Sequence, residues 1–149
     1  MVNAGPILII EDDIDDQEII ERAIREVGST RSIIFLNNGA DALQFLRTTT
    51  IQPFLILCDI NMPKVNGIEL KMKIDQDADL RKKSIPFVFF TTTANRMSVN
   101  LAYTHMTIQG FFEKSSNYTD LVNTLKLILD YWNECRHPNA DNKNGGNQV

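Results

Sequence analysis

Chemistry-bearing residues stand at the ends of four apolar runs. Ile7 to Ile10 ends in Glu11, Asp12 and Asp13, and Phe54 to Cys58 ends in Asp59. Phe87 to Phe90 ends in Thr91, Thr92 and Thr93, and Gly110 to Glu113 is followed by Lys114. If these ends converge, Glu11, Asp12 and Asp59 bring like charges within a few ångströms, which costs free energy unless a cation is shared. Carboxylate oxygens and waters suit Mg²⁺, which takes few protein ligands. A lysine at the same place pairs with an anion and a hydroxyl donates to it. An acidic pair, a nucleophilic carboxylate, a hydroxyl and a lysine together describe phosphoryl transfer.

The convergence depends on the elements between. Ile7 to Ile10, Ser32 to Leu36, Phe54 to Cys58, Phe87 to Phe90 and Gly110 to Lys114 read as short strands. Ile20, Ala23, Ile24 and Val27 recur at helical spacing before Gly28. Ala42, Leu43 and Leu46 predict a second helix, Ile68 to Ile74 a third and Met97 to Met106 a fourth. The stripe from Tyr118 through Leu121, Leu125, Leu129 and Trp132 predicts a long last helix. The charged stretch Asp75 to Ser84 reads as a solvated loop or helix end. Unbroken apolar strands imply a parallel sheet covered on both faces, hence an α/β doubly wound fold of five strands and five helices. Such sheets bind ligands at the carboxyl ends of their strands. One domain is expected over residues 6–135, with an Asn- and Gly-rich, disordered polar tail at 138–149.

At these residues the sequence resembles the response-regulator receiver domains of two-component signalling. The resemblance is carried by Ile7 to Asp13, Leu57 to Gly67 (an Asp-x-x-Met-Pro-x-x-x-Gly run), Pro86 to Thr91 and Gly110 to Lys114. It implies a flavodoxin-like receiver fold in which Asp59 is the phosphoacceptor for a kinase histidine. It further implies Mg²⁺ as cofactor, bound by Asp12 directly, by Glu11 through water, by Asp59 and by the backbone carbonyl of Asn61. Lys114 would pair with the phosphoryl oxygens and Thr91 would move to hydrogen-bond them, with Phe111 turning inward as an aromatic switch. Asn61 and Thr93 fall at positions that tune the lifetime of the acyl phosphate. Ser115 stands where the family commonly has proline, and an X-Ser bond is expected to be trans.

Several residues also have plainer readings. Asp13, Asp15 and Asp16 suit a helix start, Phe111 suits ordinary packing, and Gly67 and Gly110 suit backbone-permissive positions. His105 and His137 read as structural or solvated. Cys58 and Cys135 read as free thiols of a reducing compartment, having neither disulfide nor metal-site spacing. Fifteen basic against nineteen acidic residues give a net charge of −4, which argues against nucleic acid and anionic membrane as partners. No apolar stretch reaches the ~18 residues of a membrane span, and the N-terminus lacks the basic start of a signal peptide. A cytoplasmic protein is expected.

The leading reading is a signalling switch and not a turnover enzyme. Its partners would be a sensor histidine kinase and, downstream, a histidine phosphotransfer protein or another target protein. The resemblance also admits a homodimer. Two alternatives stand beside it. One is a degenerate receiver that binds partners without phosphorylation. The other is a Mg²⁺-dependent phosphatase with an aspartyl nucleophile, against which Asp59-Ile60-Asn61 lacks a second carboxylate at the needed spacing.

Overall fold

The computed structural model describes residues 5–92, 96–105 and 108–135. The expected tail lies outside them. Five strands, β1 (Ile7–Ile10), β2 (Ile33–Leu36), β3 (Leu55–Cys58), β4 (Phe87–Thr91) and β5 (Gly110–Glu113), alternate with helices. The helices are α1 (Ile14–Glu26), α2 (Gly39–Thr48), α3 (Gly67–Gln76), α4 (Ala78–Lys83), α5 (Arg96–His105) and α6 (Tyr118–Glu134). All strand pairs are parallel, in the order β2-β1-β3-β4-β5.

The sheet is apolar on both faces, and alternation along each strand decides which core each residue joins. Ile7, Ile9, Leu55, Leu57, Val88 and Phe90 pack with Ile20 and Ile24 of α1 and with Leu125 and Leu129 of α6. Leu8, Ile10, Ile56, Cys58, Phe87 and Phe89 pack with α2, α3, α4 and α5 through Leu46, Leu70, Leu80 and Ala102. Helix starts are built locally. The Asp13 side chain accepts from the amides of Asp15 and Asp16, Asn38 from Asp41 and Asn117 from Asp120. Asn66 and Glu69 form a reciprocal capping box on α3. At the end of α1, Gly28 takes φ +103, a conformation that costs glycine nothing. No helix among the described residues is long and apolar enough to cross a membrane.

The charged stretch Asp75 to Ser84, expected as a loop or helix end, begins as the end of α3 but holds more. It holds a sixth, short helix, α4, because Asp77 caps it by accepting from Asp79 N and Leu80 N. Leu80 buries into the core beneath, and Ser84 ends the helix in the left-handed region at φ 52. A six-residue helix with one buried side chain carries too weak a periodicity to be read from sequence.

Candidate functional site

The strand order reverses at β1, whose neighbours are β2 and β3, and a crevice opens there at the carboxyl ends. Glu11 and Asp59 are the residues that leave β1 and β3 on either side of it. Their backbones are still tied to the sheet: Glu11 N donates to Leu36 O and Asp59 N to Ile10 O, both at 2.9 Å. Glu11, Asp12 and Asp59 each offer a carboxylate oxygen, and these oxygens lie within 4.8 Å of one another. Glu11 and Asp59 are buried, at 2% and 8% exposure, while Asp12 is open to solvent. Two sheltered carboxylates and one exposed carboxylate fit a hard divalent cation that keeps part of its water shell.

Lys114 reaches the same rim from β5. Its backbone amide donates to Thr91 O at 2.8 Å, continuing the sheet one residue beyond β5. Its ammonium contacts Glu11 Oε1, lies 3.0 Å from Asp16 Oδ2 and 3.9 Å from Asp59 Oδ2. Burial disfavours this charge, but the Glu11 hydrogen bond and the charges of Asp59 and Glu11 outweigh it and hold the ammonium above its ordinary range. Burial pushes the Glu11 carboxyl up to about 7, against the pull of Lys114. The buried Cys58 thiol is pushed well up by burial first and then by the charges of Asp59 and Glu11. The rim therefore carries more negative charge than one ammonium balances.

Asp59 Oδ1 accepts from Ile60 N at 2.8 Å, which fixes the carboxylate's orientation and leaves Oδ2 on the Lys114 side. The turn after Asp59 is pinned by Gly67 N donating to Ile60 O at 2.9 Å. A Cβ at Gly67 would stand 2.2 Å from Asp59 O. Space, not a positive φ, is why this position is glycine; Gly110 has no positive φ either. Thr91 is fully buried at the end of β4, and its Oγ1 is, among the described residues, the buried side-chain oxygen or nitrogen without a hydrogen-bond partner. An unpaired buried hydroxyl is costly, and native folds seldom keep one. Phe111 is half-buried, its ring 5.5 Å from that of Phe89. Asn61 is exposed beside Asp59, and Thr93 lies outside the described residues. Ser115 accepts from Asn117 N at 3.0 Å and leads the chain into α6, with no cis peptide bond among the described residues.

Two residues outside the expected set join the site. Asp16, read as part of a helix start, lies against Lys114. Gln17 is buried, and its amide donates to Glu11 O at 2.7 Å and to Asn37 Oδ1 at 2.8 Å, clamping the ends of β1 and β2 together. The signal for Asp16 is its spacing: it precedes the buried Ile20 by four residues and so shares the sheet-facing side of α1. Asp13 caps α1.

Comparison with known proteins agrees with this geometry. The response regulator receiver domain family matches residues 7–126. Response regulator Rcp1 of Synechocystis sp. is 31% identical over 133 residues, which cover 86% of this chain and 88% of that protein. The Mn(2+)-bound structure of Rcp1 superposes with a TM-score of 0.78 at 31% identity, covering 90% of this chain and 99% of that one. The phosphorylated cyanobacterial phytochrome response regulator RcpA superposes with a TM-score of 0.80 at 27% identity, covering 90% and 98% of the two chains. The parallel 2-1-3-4-5 sheet, the acidic crevice at its switch point and the family match over most of the chain lead to one conclusion: the protein belongs to the response-regulator receiver family of two-component signalling.

Proposed function

We propose that this chain is a phosphorylation switch in which Asp59 takes a phosphoryl group from a histidine kinase and the altered rim changes what the protein binds. The observation that carries the reading is the crowding of Glu11, Asp12 and Asp59 around one lysine, with the unpaired hydroxyl of Thr91 at the carboxyl end of β4. Phosphoryl transfer passes through a loose transition state, so positioning and charge neutralisation supply most of the catalysis. Asp59 presents Oδ2 as nucleophile while Ile60 N holds Oδ1. Lys114 neutralises an equatorial oxygen of the transferring group. A bound Mg²⁺, held by Glu11, Asp12, Asp59 and the Asn61 carbonyl, would neutralise further phosphoryl charge. The Mn(2+)-bound form of Rcp1 supports divalent-ion binding by this chain.

The product adds about two negative charges to the rim. Thr91 then gains an acceptor for its hydroxyl, and its movement opens room that Phe111 takes up. That displaces the surface of α5 and β5, where a target reads the state. Asn61 and Thr93 tune how long the acyl phosphate lasts by controlling the approach of water. The protein acts only on its own phosphoryl group, in the cytoplasm, and RcpA's phytochrome association points to a sensor kinase as donor.

Intact-protein mass spectrometry after incubation with acetyl phosphate and Mg²⁺ tests the reading. One phosphoryl adduct is expected, absent from Asp59→Asn and absent in EDTA. An unmodified wild type, read promptly, refutes it and leaves the fold as a phosphorylation-independent binding module.

A further inference from the structure

Asp16 takes no part in the proposed transfer, yet its Oδ2 is nearer to Lys114 Nζ, at 3.0 Å, than Asp59 Oδ2 is, at 3.9 Å. The ammonium also contacts Glu11. Two of its three protons are thus directed to Glu11 and Asp16, and Asp59 lies beyond hydrogen-bond reach. The helix enforces this arrangement. Asp16 N donates to the Asp13 cap at 3.2 Å, and the buried Ile20 four residues on anchors the same face of α1. The Lys114 side chain is almost wholly enclosed, whereas that of Asp16 keeps 35% of its surface open. Both line a cavity of about 500 Å³, together with Ser115 and Tyr118. Asp16 therefore has solvent to turn into, and Lys114 does not.

We propose that Asp16 is a positioning residue that holds the Lys114 ammonium back from Asp59 before phosphorylation and gives it up to the phosphoryl oxygens. This rests on Asp59 being the phosphoacceptor. In the transfer, an Asp59 carboxylate oxygen forms the new O–P bond and the donor's bond to phosphorus breaks, N–P in a phosphohistidine or O–P in acetyl phosphate, its electron pair leaving on the imidazole nitrogen or on acetate. Asp16 receives neither proton nor electron pair. Its action is electrostatic: it competes for Lys114 and adds to the negative potential that an anionic donor must enter. Once the phosphoryl group is in place, its roughly two negative charges outcompete one half-exposed carboxylate for the ammonium.

The initial rate of phosphorylation by acetyl phosphate at saturating Mg²⁺ reads this directly, measured at two ionic strengths with thermal melts to confirm folding. Asp16→Asn is expected to be faster than wild type by about three- to tenfold, the weight of a partly exposed ion pair. Asp16→Ala guards against an asparagine that still binds Lys114, and it should accelerate likewise. Asp16→Glu keeps the charge and should remain within about twofold of wild type. The gain should shrink at high salt, because screening weakens the Asp16 charge in the wild type. Asp16→Asn and Asp16→Ala that are no faster than a reactive wild type overturn the inference alone. So does an Asp16→Glu that matches Asp16→Asn, since charge is then not the cause. A wild type that takes up no phosphoryl group overturns the phosphoacceptor reading and this inference with it.

Discussion

Among the described residues two lysines are buried, at different places on the sheet, and their surroundings differ in one respect. Lys71, on α3, meets Asp75 at 2.8 Å and lies 5.1 Å from the centre of the Phe87 ring, near the start of β4. Lys114, at the opposite end of the strands, is surrounded by Glu11, Asp16 and Asp59, with Asp12 close to Glu11 and Asp59. Lys71 belongs to an i,i+4 pair on one helix, a local arrangement whose charges match. Lys114 draws its carboxylates from α1 and from the ends of β1 and β3. A balanced pair contributes to stability; an unbalanced cluster stores repulsion that only an added cation or a rearrangement relieves.

That contrast can be broken at either end. The largest effect is expected from Asp75→Asn, which removes the carboxylate charge that the buried Lys71 ammonium meets at 2.8 Å. Chemical denaturation should show a loss of about 2–3 kcal/mol, while Lys71→Met, which keeps the cover over Phe87, should stay within about 1.5 kcal/mol. A loss from Lys71→Met as large as that from Asp75→Asn would mean that packing, not charge, holds this end.

Next comes the pH dependence of divalent-ion binding. The folded Glu11 carboxyl titrates near about 7, above its unfolded value of 4.5. The metal-free fold therefore keeps a proton that the unfolded chain has released, and it loses stability as pH rises from about 4.5 to about 7. The same proton competes with the ion, so Mg²⁺ or Mn²⁺ affinity by calorimetry should fall about tenfold from its plateau by pH 6. A flat profile would place an ionised Glu11 in the rim throughout.

Asp59→Asn should raise stability in EDTA by about 1 kcal/mol, since it removes a like charge from the rim while abolishing the phosphoryl adduct. A lower melting temperature would show that Asp59 is compensated where it stands. The smallest change in stability is expected from Thr91→Val. Replacing an unpaired buried hydroxyl by a methyl group should cost nothing, or stabilise by up to about 1 kcal/mol. The phosphorylation-dependent shift in β5 and α5 amide resonances should nonetheless disappear. A Thr91→Val protein whose resonances still shift would remove Thr91 from the switch.

Much of the fold was legible because its determinants are local. The five apolar strands, the helical spacing of Ile20 and Ile24, the stripe on α6 and the stop at Gly28 all express contacts or backbone preferences within a few residues. The helix α4 was not, since one buried leucine in six residues leaves no period to read. Glu11, Asp12, Asp59, Thr91 and Lys114 could be singled out by type and by position at strand ends, and the structure brings them to one rim. Gly67 was misread for a related reason: its need for space is set by Asp59 O, eight residues away across a turn.

The sequence by itself determined the strands, most of the helices and the residues able to do chemistry, because period, capping and turn preference act over short stretches of chain. Only the tertiary structure decided how the charges are shared. Lys114 meets Asp16 and Glu11 across 98 and 103 residues of sequence, and no local rule ranks one carboxylate above another. The parallel order of the strands sets those distances, and burial sets their strength. Together they turn four separate strand ends into one overcharged crevice.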